Sequence, residues 1–283
     1  MYMTAGKNIE SDPKKGLQAH DAIVQQALHA KDPRERLEAL QQLDDAMMHK
    51  TIASNDPDPM VRQAAIEMIT DPQALKEIVS NEPSYHVRLA AVRKIADPNL
   101  LAGIVLKNQT DYYICKDAIC NIQDEDVLAS LLESLTDRDI KSAVVQKIDN
   151  QDLLANIACC NSDFYVRSDA LKKISNEKIL VHIARNDSDY YVRALAVQQI
   201  NDGDVILNIA RHDLDYYVRG QAVSRIHDAK VLREIILKED DFDVRKRALM
   251  NIRDESVLRD LENHITDAYI LRKIRSCLDN IQA

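Results

Sequence analysis

Between residues 30 and 266 the apolar positions follow one short frame that returns again and again. In DSDYYVRALAVQQIND, residues 187–202, the spacing of Val192, Ala196 and Ile200 places three apolar groups on one face of a short helix. Twenty-six residues on, DLDYYVRGQAVSRIHD repeats the pattern with Val218, Ala222 and Ile226. The first of the three positions is filled by Glu35, Val61, Val87, Ile114, Ile140, Val166, Val192, Val218 and Val244. Seven of the eight intervals between them are equal, and one is longer by a single residue. A fixed period over nearly the whole chain predicts a solenoid, in which each unit packs only on its neighbours. The middle position is usually Ala, as in Ala65, Ala91, Ala196 and Ala222, which lets a neighbouring helix approach closely.

Polar residues mark where the helices begin. Ten residues after the register position stands Asp or Asn in every copy, from Asp45 to Asp254, and three residues before it stands Asp or, once, Ser84. Short side-chain oxygens at those places are N-caps, acceptors for backbone N–H groups that have no partner inside the helix. Each copy therefore predicts two capped helices of about ten residues, too short to be stable alone. The second has core positions such as Val205, Ile206, Ile209 and Ala210, or Val231, Leu232, Ile235 and Ile236.

The frame D-x-x-V-R-x-x-A-x-x-x-I-x-D, clearest in DPDPMVRQAAIEMITD at 56–71, resembles the HEAT-like helical repeats. Its short period is most similar to their leucine-rich-repeat-variant relatives. The resemblance implies an all-α fold, an α-solenoid wound as a right-handed superhelix of stacked two-helix repeats, with the second helices lining the concave face. It also implies a scaffold more often than an enzyme. The expected organisation is an N-terminal tail over 1–15 and a single solenoid domain over 16–283. That domain comprises a cap helix at 16–29, about nine repeats over 30–266 and a terminal cap helix at 267–282. An extra residue near Lys107–Thr110 predicts a local change in stacking.

Charge and cysteine content narrow the function. The net charge is −9, from 46 acidic and 37 basic residues, which argues against a surface built to neutralise phosphates. Nucleic acid is therefore disfavoured as a partner. The five cysteines, Cys115, Cys120, Cys159, Cys160 and Cys277, are odd in number and contain no C-x-x-C, so they read as reduced thiols of a cytoplasmic protein. The first 15 residues, MYMTAGKNIESDPKK, lack the apolar run expected of a signal peptide, and no later stretch approaches the length of apolar run expected of a membrane span.

Two columns stand out beside the frame. An arginine follows the register position at Arg36, Arg62, Arg88, Arg167, Arg193, Arg219 and Arg245, with Lys141 and Cys115 as the exceptions. The expected role is structural, each Arg bridging the Asp caps of its own and the adjacent repeat, with Asp189 an acceptor for Arg193. The second column is aromatic. Of 12 aromatic residues, 11 fall one or two places before the register position or its equivalent, among them Tyr165, Tyr190, Tyr191, Tyr216 and Tyr217. Neighbours on a helix point about 100° apart. One member of each pair can therefore pack between repeats while the other stays partly exposed along the solenoid edge, either as a purely structural stripe or as an edge suited to a partner.

The groove that the resemblance implies would be floored by Ala102, Ala129, Ala155, Val181 and Leu207, each followed by a polar or small residue such as His182 or Asn208. Arg185 and Arg211 could pair there with a partner's carboxylates. The candidate partner-binding residues are thus Tyr165, Tyr190, Tyr191, Tyr216, Tyr217, His182, Arg185, Asn208 and Arg211, for a protein or peptide partner. Scattered histidines, the absence of H-E-x-x-H and only five glycines leave no catalytic residue, no metal set and no cofactor loop to nominate. The expectation is a non-enzymatic interaction scaffold. The alternative is an enzyme or enzyme accessory of HEAT-like type, similar to the DNA repair glycosylases or the chromophore lyases.

Overall fold

The computed structural model describes residues 13–282, with side chains from 17 to 279. Residues 1–12 of the expected tail lie outside the described residues; 13–15 already belong to a helix. All regular structure among the described residues is α-helical.

The chain divides into two compact units, Met1–Lys147 and Ile148–Ala283. The first contains α1 (Pro13–His29), α2 (Pro33–Leu40), α3 (Ala46–Asn55), α4 (Pro59–Met68), α5 (Pro72–Asn81), α6 (Tyr85–Lys94), α7 (Pro98–Lys107), α8 (Tyr112–Asn121), α9 (Glu125–Ser134) and α10 (Arg138–Lys147). The second contains α11 (Gln151–Cys160), α12 (Phe164–Leu171), α13 (Glu177–Asn186), α14 (Tyr190–Gln199), α15 (Gly203–His212), α16 (Tyr216–Val223), α17 (Ala229–Lys238), α18 (Phe242–Asn251), α19 (Glu255–His264) and α20 (Ala268–Gln282).

Within each unit the principal packing runs between chain-adjacent helices and between helices two apart, the nearest-neighbour pattern of an α-solenoid. The closest hairpins join each odd-numbered helix to the even-numbered one that follows, so α1 pairs with α2 and α19 with α20. The two terminal helices are thus hairpin partners as well as caps. Ile270 stands one full period after Val244, and Ile270, Ile274 and Leu278 are buried, so the frame continues beyond residue 266.

The caps act as their chemistry requires. Asp189 accepts from the backbone N–H of Tyr191 and Val192, and Asp202 from those of Asp204 and Val205. Ser84 is the exception; its side chain caps nothing, and its own N–H donates to Glu82. One expectation needs correcting. The last residue of the apolar triplet does not lie on the helix. Ile69, Ile95, Ile122, Ile200 and Ile252 are C-cap residues with extended backbone. They turn the chain and still bury their side chains, with at most 4% exposure.

The small middle residues, Ala65, Ala91, Ala196 and Ala222, have no exposed surface. Successive even-numbered helices lie closer together than most successive odd-numbered ones, as α4–α6 against α3–α5 and α14–α16 against α13–α15 show.

Candidate functional site: an aromatic edge on an arginine ladder

Behind the aromatic residues runs a row of ion pairs that fixes their spacing. Arg193 lies in the first turn of α14 and reaches back past its own helix terminus. Its Nε and Nη2 donate to the two carboxylate oxygens of Asp213 at 2.9 and 3.0 Å, and its Nη1 donates to the carbonyl of Asp187 at 2.9 Å. Asp213 is the C-cap of α15, and it also accepts from the N–H of Asp215 at 2.9 Å. One carboxylate thus ties the end of an odd-numbered helix to the start of the next even-numbered one and to the preceding repeat. The same fork joins Arg36 to Asp56, Arg62 to Glu82, Arg167 to Asp187 and Arg219 to Glu239. Planar bidentate pairing of this kind is what guanidinium geometry favours. The hydrogen bond to its carboxylate holds each of these five guanidinium groups above its ordinary pKa.

The structural role expected for the arginines therefore has different partners. The acid lies twenty places beyond the Arg, at the C-cap of the odd-numbered helix, whereas Asp189 serves the helix N-terminus and not Arg193. The N-cap acid is used only where the C-cap offers no carboxylate. Arg88 meets Asn108 at that place and turns to Asp111 at 2.5 Å; Arg245 meets Ile265 and turns to Asp267 at 3.1 Å, leaving its Nε buried without an acceptor. Where Cys115 replaces Arg, the equivalent C-cap place holds Leu135, also buried. The Cys115 thiol donates to the carbonyl of Asn108 at 3.2 Å, keeping the backbone half of the arrangement. Burial, aided by the charges of Asp111 and Asp137, pushes that thiol up to about 12.

The ladder carries the aromatics at the N-termini of the even-numbered helices. Neither member of a pair is buried. Tyr190 and Tyr191 are 48% and 39% exposed, Tyr216 is 52% exposed and Tyr217 half-buried. The expected division into one packed and one exposed column is therefore not found. Contact between repeats is diagonal instead: the first aromatic of one repeat meets the second of the next, edge to face. Tyr190 and Tyr217 have ring centroids 5.9 Å apart, Tyr85 and Tyr113 6.3 Å, and Phe242 and Tyr269 4.8 Å. Such offset rings satisfy one another's quadrupoles while leaving faces free. In the second unit Tyr190, Tyr191, Asp215, Tyr216 and Tyr217 enclose an open cleft of about 500 Å³. The loop entering α16 adds Leu214, which is 97% exposed.

No family model and no curated protein matches the chain. One solved structure, from work described as "Computational Design of Self-Assembling Cyclic Protein Homooligomers", is similar at 12% identity over 95% of this chain and 90% of that one. Its TM-score is 0.11. So loose a likeness leaves the fold to be argued from the helices themselves.

The remaining candidates lie apart from this cleft. Tyr165 stacks on Phe164 at 3.8 Å on α12 and is not among the cleft's lining residues. His182 and Arg185 lie on α13, Asn208 and Arg211 on α15, all exposed on the odd-numbered row. Arg211 is already paired with Glu234 at 3.0 Å, and His182 is engaged by Asn186. Arg211 also lines a second cavity of about 350 Å³ between α15 and α17, with His212, Glu234 and Glu239. The structure thus gathers the tyrosines and separates them from the four polar candidates. What sequence reading missed is the acidic column of Asp56, Glu82, Asp187, Asp213 and Glu239. The signal was an acid at one constant offset, twenty places, after five of the seven arginines. Among the described residues no group of three or more His, Cys, Asp or Glu could hold a metal ion, and no helix is long and apolar enough to cross a membrane.

Proposed function

We propose that the protein is a non-enzymatic, cytoplasmic interaction scaffold of HEAT-like type that binds a protein or peptide along its tyrosine edge. The observation that carries this reading is the set of four tyrosines around the 500 Å³ cleft. Three of them are more than a third exposed. The hydroxyls of all four make no hydrogen bond among the described residues. Their place in the stack is secured by the arginine ladder and the apolar triplets, so the fold does not require aromatic rings there. Tyrosine with a free hydroxyl and an exposed ring is a typical interface residue, because it joins large apolar area to a polar tip at low entropic cost.

The test is replacement of Tyr190, Tyr191, Tyr216 and Tyr217 by Ala in the full chain. Capture of partners from native lysate and the melting temperature are then measured side by side. Loss of captured partners with a melting temperature lowered by only a few degrees is expected. Unchanged capture, or a variant that no longer folds, contradicts a binding role for the edge.

A further inference from the structure

We propose that the occupant of the aromatic edge in the second unit is a proline-rich, basic peptide in the polyproline II conformation, lying across successive repeats. This rests on the reading of that edge as a docking surface, and it adds the chemistry of the partner.

The first argument is periodicity. Packed helices lie roughly 8–10 Å apart, which sets the step from one even-numbered helix to the next. A polyproline II helix advances about 3.1 Å per residue with three residues per turn, about 9.3 Å per turn. One turn of such a peptide thus matches one repeat, and a proline at every third position meets an equivalent aromatic site each time. Aromatic residues stand at this place in α12, α14, α16 and α18, as Phe164 and Tyr165, Tyr190 and Tyr191, Tyr216 and Tyr217, and Phe242. The three steps between them correspond to roughly nine peptide residues.

The second argument is hydrogen bonding. A polyproline II chain has no internal hydrogen bonds, so its carbonyls need external donors. The tyrosine hydroxyls of the cleft are donors with no acceptor among the described residues. Proline rings pack on exposed aromatic faces, and an extended peptide that is already ordered loses little entropy on binding.

Charge is the third argument. The arginines beneath the edge are matched by Asp213 and Glu239. Asp189, Asp215 and Asp241 also act on Arg167, Arg193 and Arg219, but together with Asp240 and Asp243 they make the acids along this edge more numerous than its arginines. Surplus negative charge therefore flanks the tyrosines and selects Arg or Lys between the prolines. The same charge disfavours the other partner that stacks on tyrosine, a single-stranded nucleic acid, whose phosphates it would repel.

Fluorescence anisotropy with the full chain tests this. The probe is a labelled 12-residue peptide with proline at every third position and arginine at two intervening ones. Controls are a peptide of the same composition with its prolines clustered, one with the arginines replaced by Glu, and a 12-nucleotide oligo-dT. Saturable binding of the periodic peptide is expected. It should weaken roughly tenfold or more for each control peptide and for the Tyr190→Ala/Tyr217→Ala variant. The Tyr190→Phe/Tyr216→Phe variant, which keeps the rings and removes hydroxyls, should weaken it a few-fold. Equal affinity for periodic and clustered prolines, tyrosine-dependent binding of oligo-dT, or no saturation by millimolar peptide overturns the proposal. If the edge captures lysate partners through the four tyrosines yet ignores the periodic peptide, the peptide chemistry fails and the docking surface stands.

Discussion

Removing the carboxylate of Asp213 should damage the second unit more than removing both members of its ion pair. In the wild type the side chains of Arg193 and Asp213 are 12% and 8% exposed, and two hydrogen bonds of 2.9 and 3.0 Å join them. In Asp213→Leu the guanidinium keeps only backbone carbonyls, and the N–H of Asp215 also loses its acceptor. Stranding one buried charge in this way costs about 3–5 kcal/mol. Arg193→Met strands the carboxylate instead, but the Asp215 N–H still solvates it, so the loss is nearer about 2–3 kcal/mol. The double variant leaves no charge behind and loses chiefly one hydrogen bond, for a total of about 2 kcal/mol. The cycle therefore predicts a coupling of about 3 kcal/mol or more. The chain itself holds a precedent, since Cys115 and Leu135 fill these two places in the first unit and both are buried. Because stability in a stack of repeats is local, hydrogen exchange read by mass spectrometry over α14–α16 is the suitable assay, with urea unfolding by circular dichroism beside it. Additive single losses, or an Asp213→Leu variant within about 0.5 kcal/mol of wild type, would show that the ladder is surface decoration.

Two further outcomes follow from the same ladder. Burial pushes the Glu239 carboxyl upward, but the Arg219 guanidinium and the backbone N–H groups of Asp241 and Asp240 outweigh it and hold the group below the usual range. A depressed folded value means that its stabilisation is complete above the unfolded pKa of about 4.3 and is lost as pH falls through the lower folded value. Melting temperature followed from pH 6 to pH 3 should fall more steeply for wild type than for Glu239→Gln, and parallel curves would refute the assignment. Thiol reactivity should separate just as clearly. With an alkylating reagent at neutral pH, mass spectrometry should find Cys120 and Cys160 modified first and Cys159 more slowly, because burial and the neighbouring Cys160 raise its pKa. Cys115 should stay unmodified until the first unit unfolds.

The fold was largely legible because a solenoid writes the same local sentence many times. A single Asp before an apolar run is weak evidence for a helix start, but Asp or Asn at nine equivalent places overrides the noise of any one copy. What periodicity could not supply was direction in space. The triplet of Val192, Ala196 and Ile200 reads as one helix face, yet Ile200 lies past the helix end in an extended conformation, because a buried side chain is compatible with either backbone. Proximity in sequence also misled over the partner of Arg193: Asp189 is near, but its oxygen already serves the helix N-terminus, so the arginine takes the acid twenty places on. The tyrosines show the same limit from the other side. A separation of about 100° on one helix excludes a shared neighbour within the helix, but not a diagonal contact with the next. Tyr190 therefore finds Tyr217, and both tyrosines of its own pair remain open. A column whose spacing is enforced by the ladder beneath it presents the same chemistry at each repeat. It is better suited to read a partner that is itself periodic than one with a single shape.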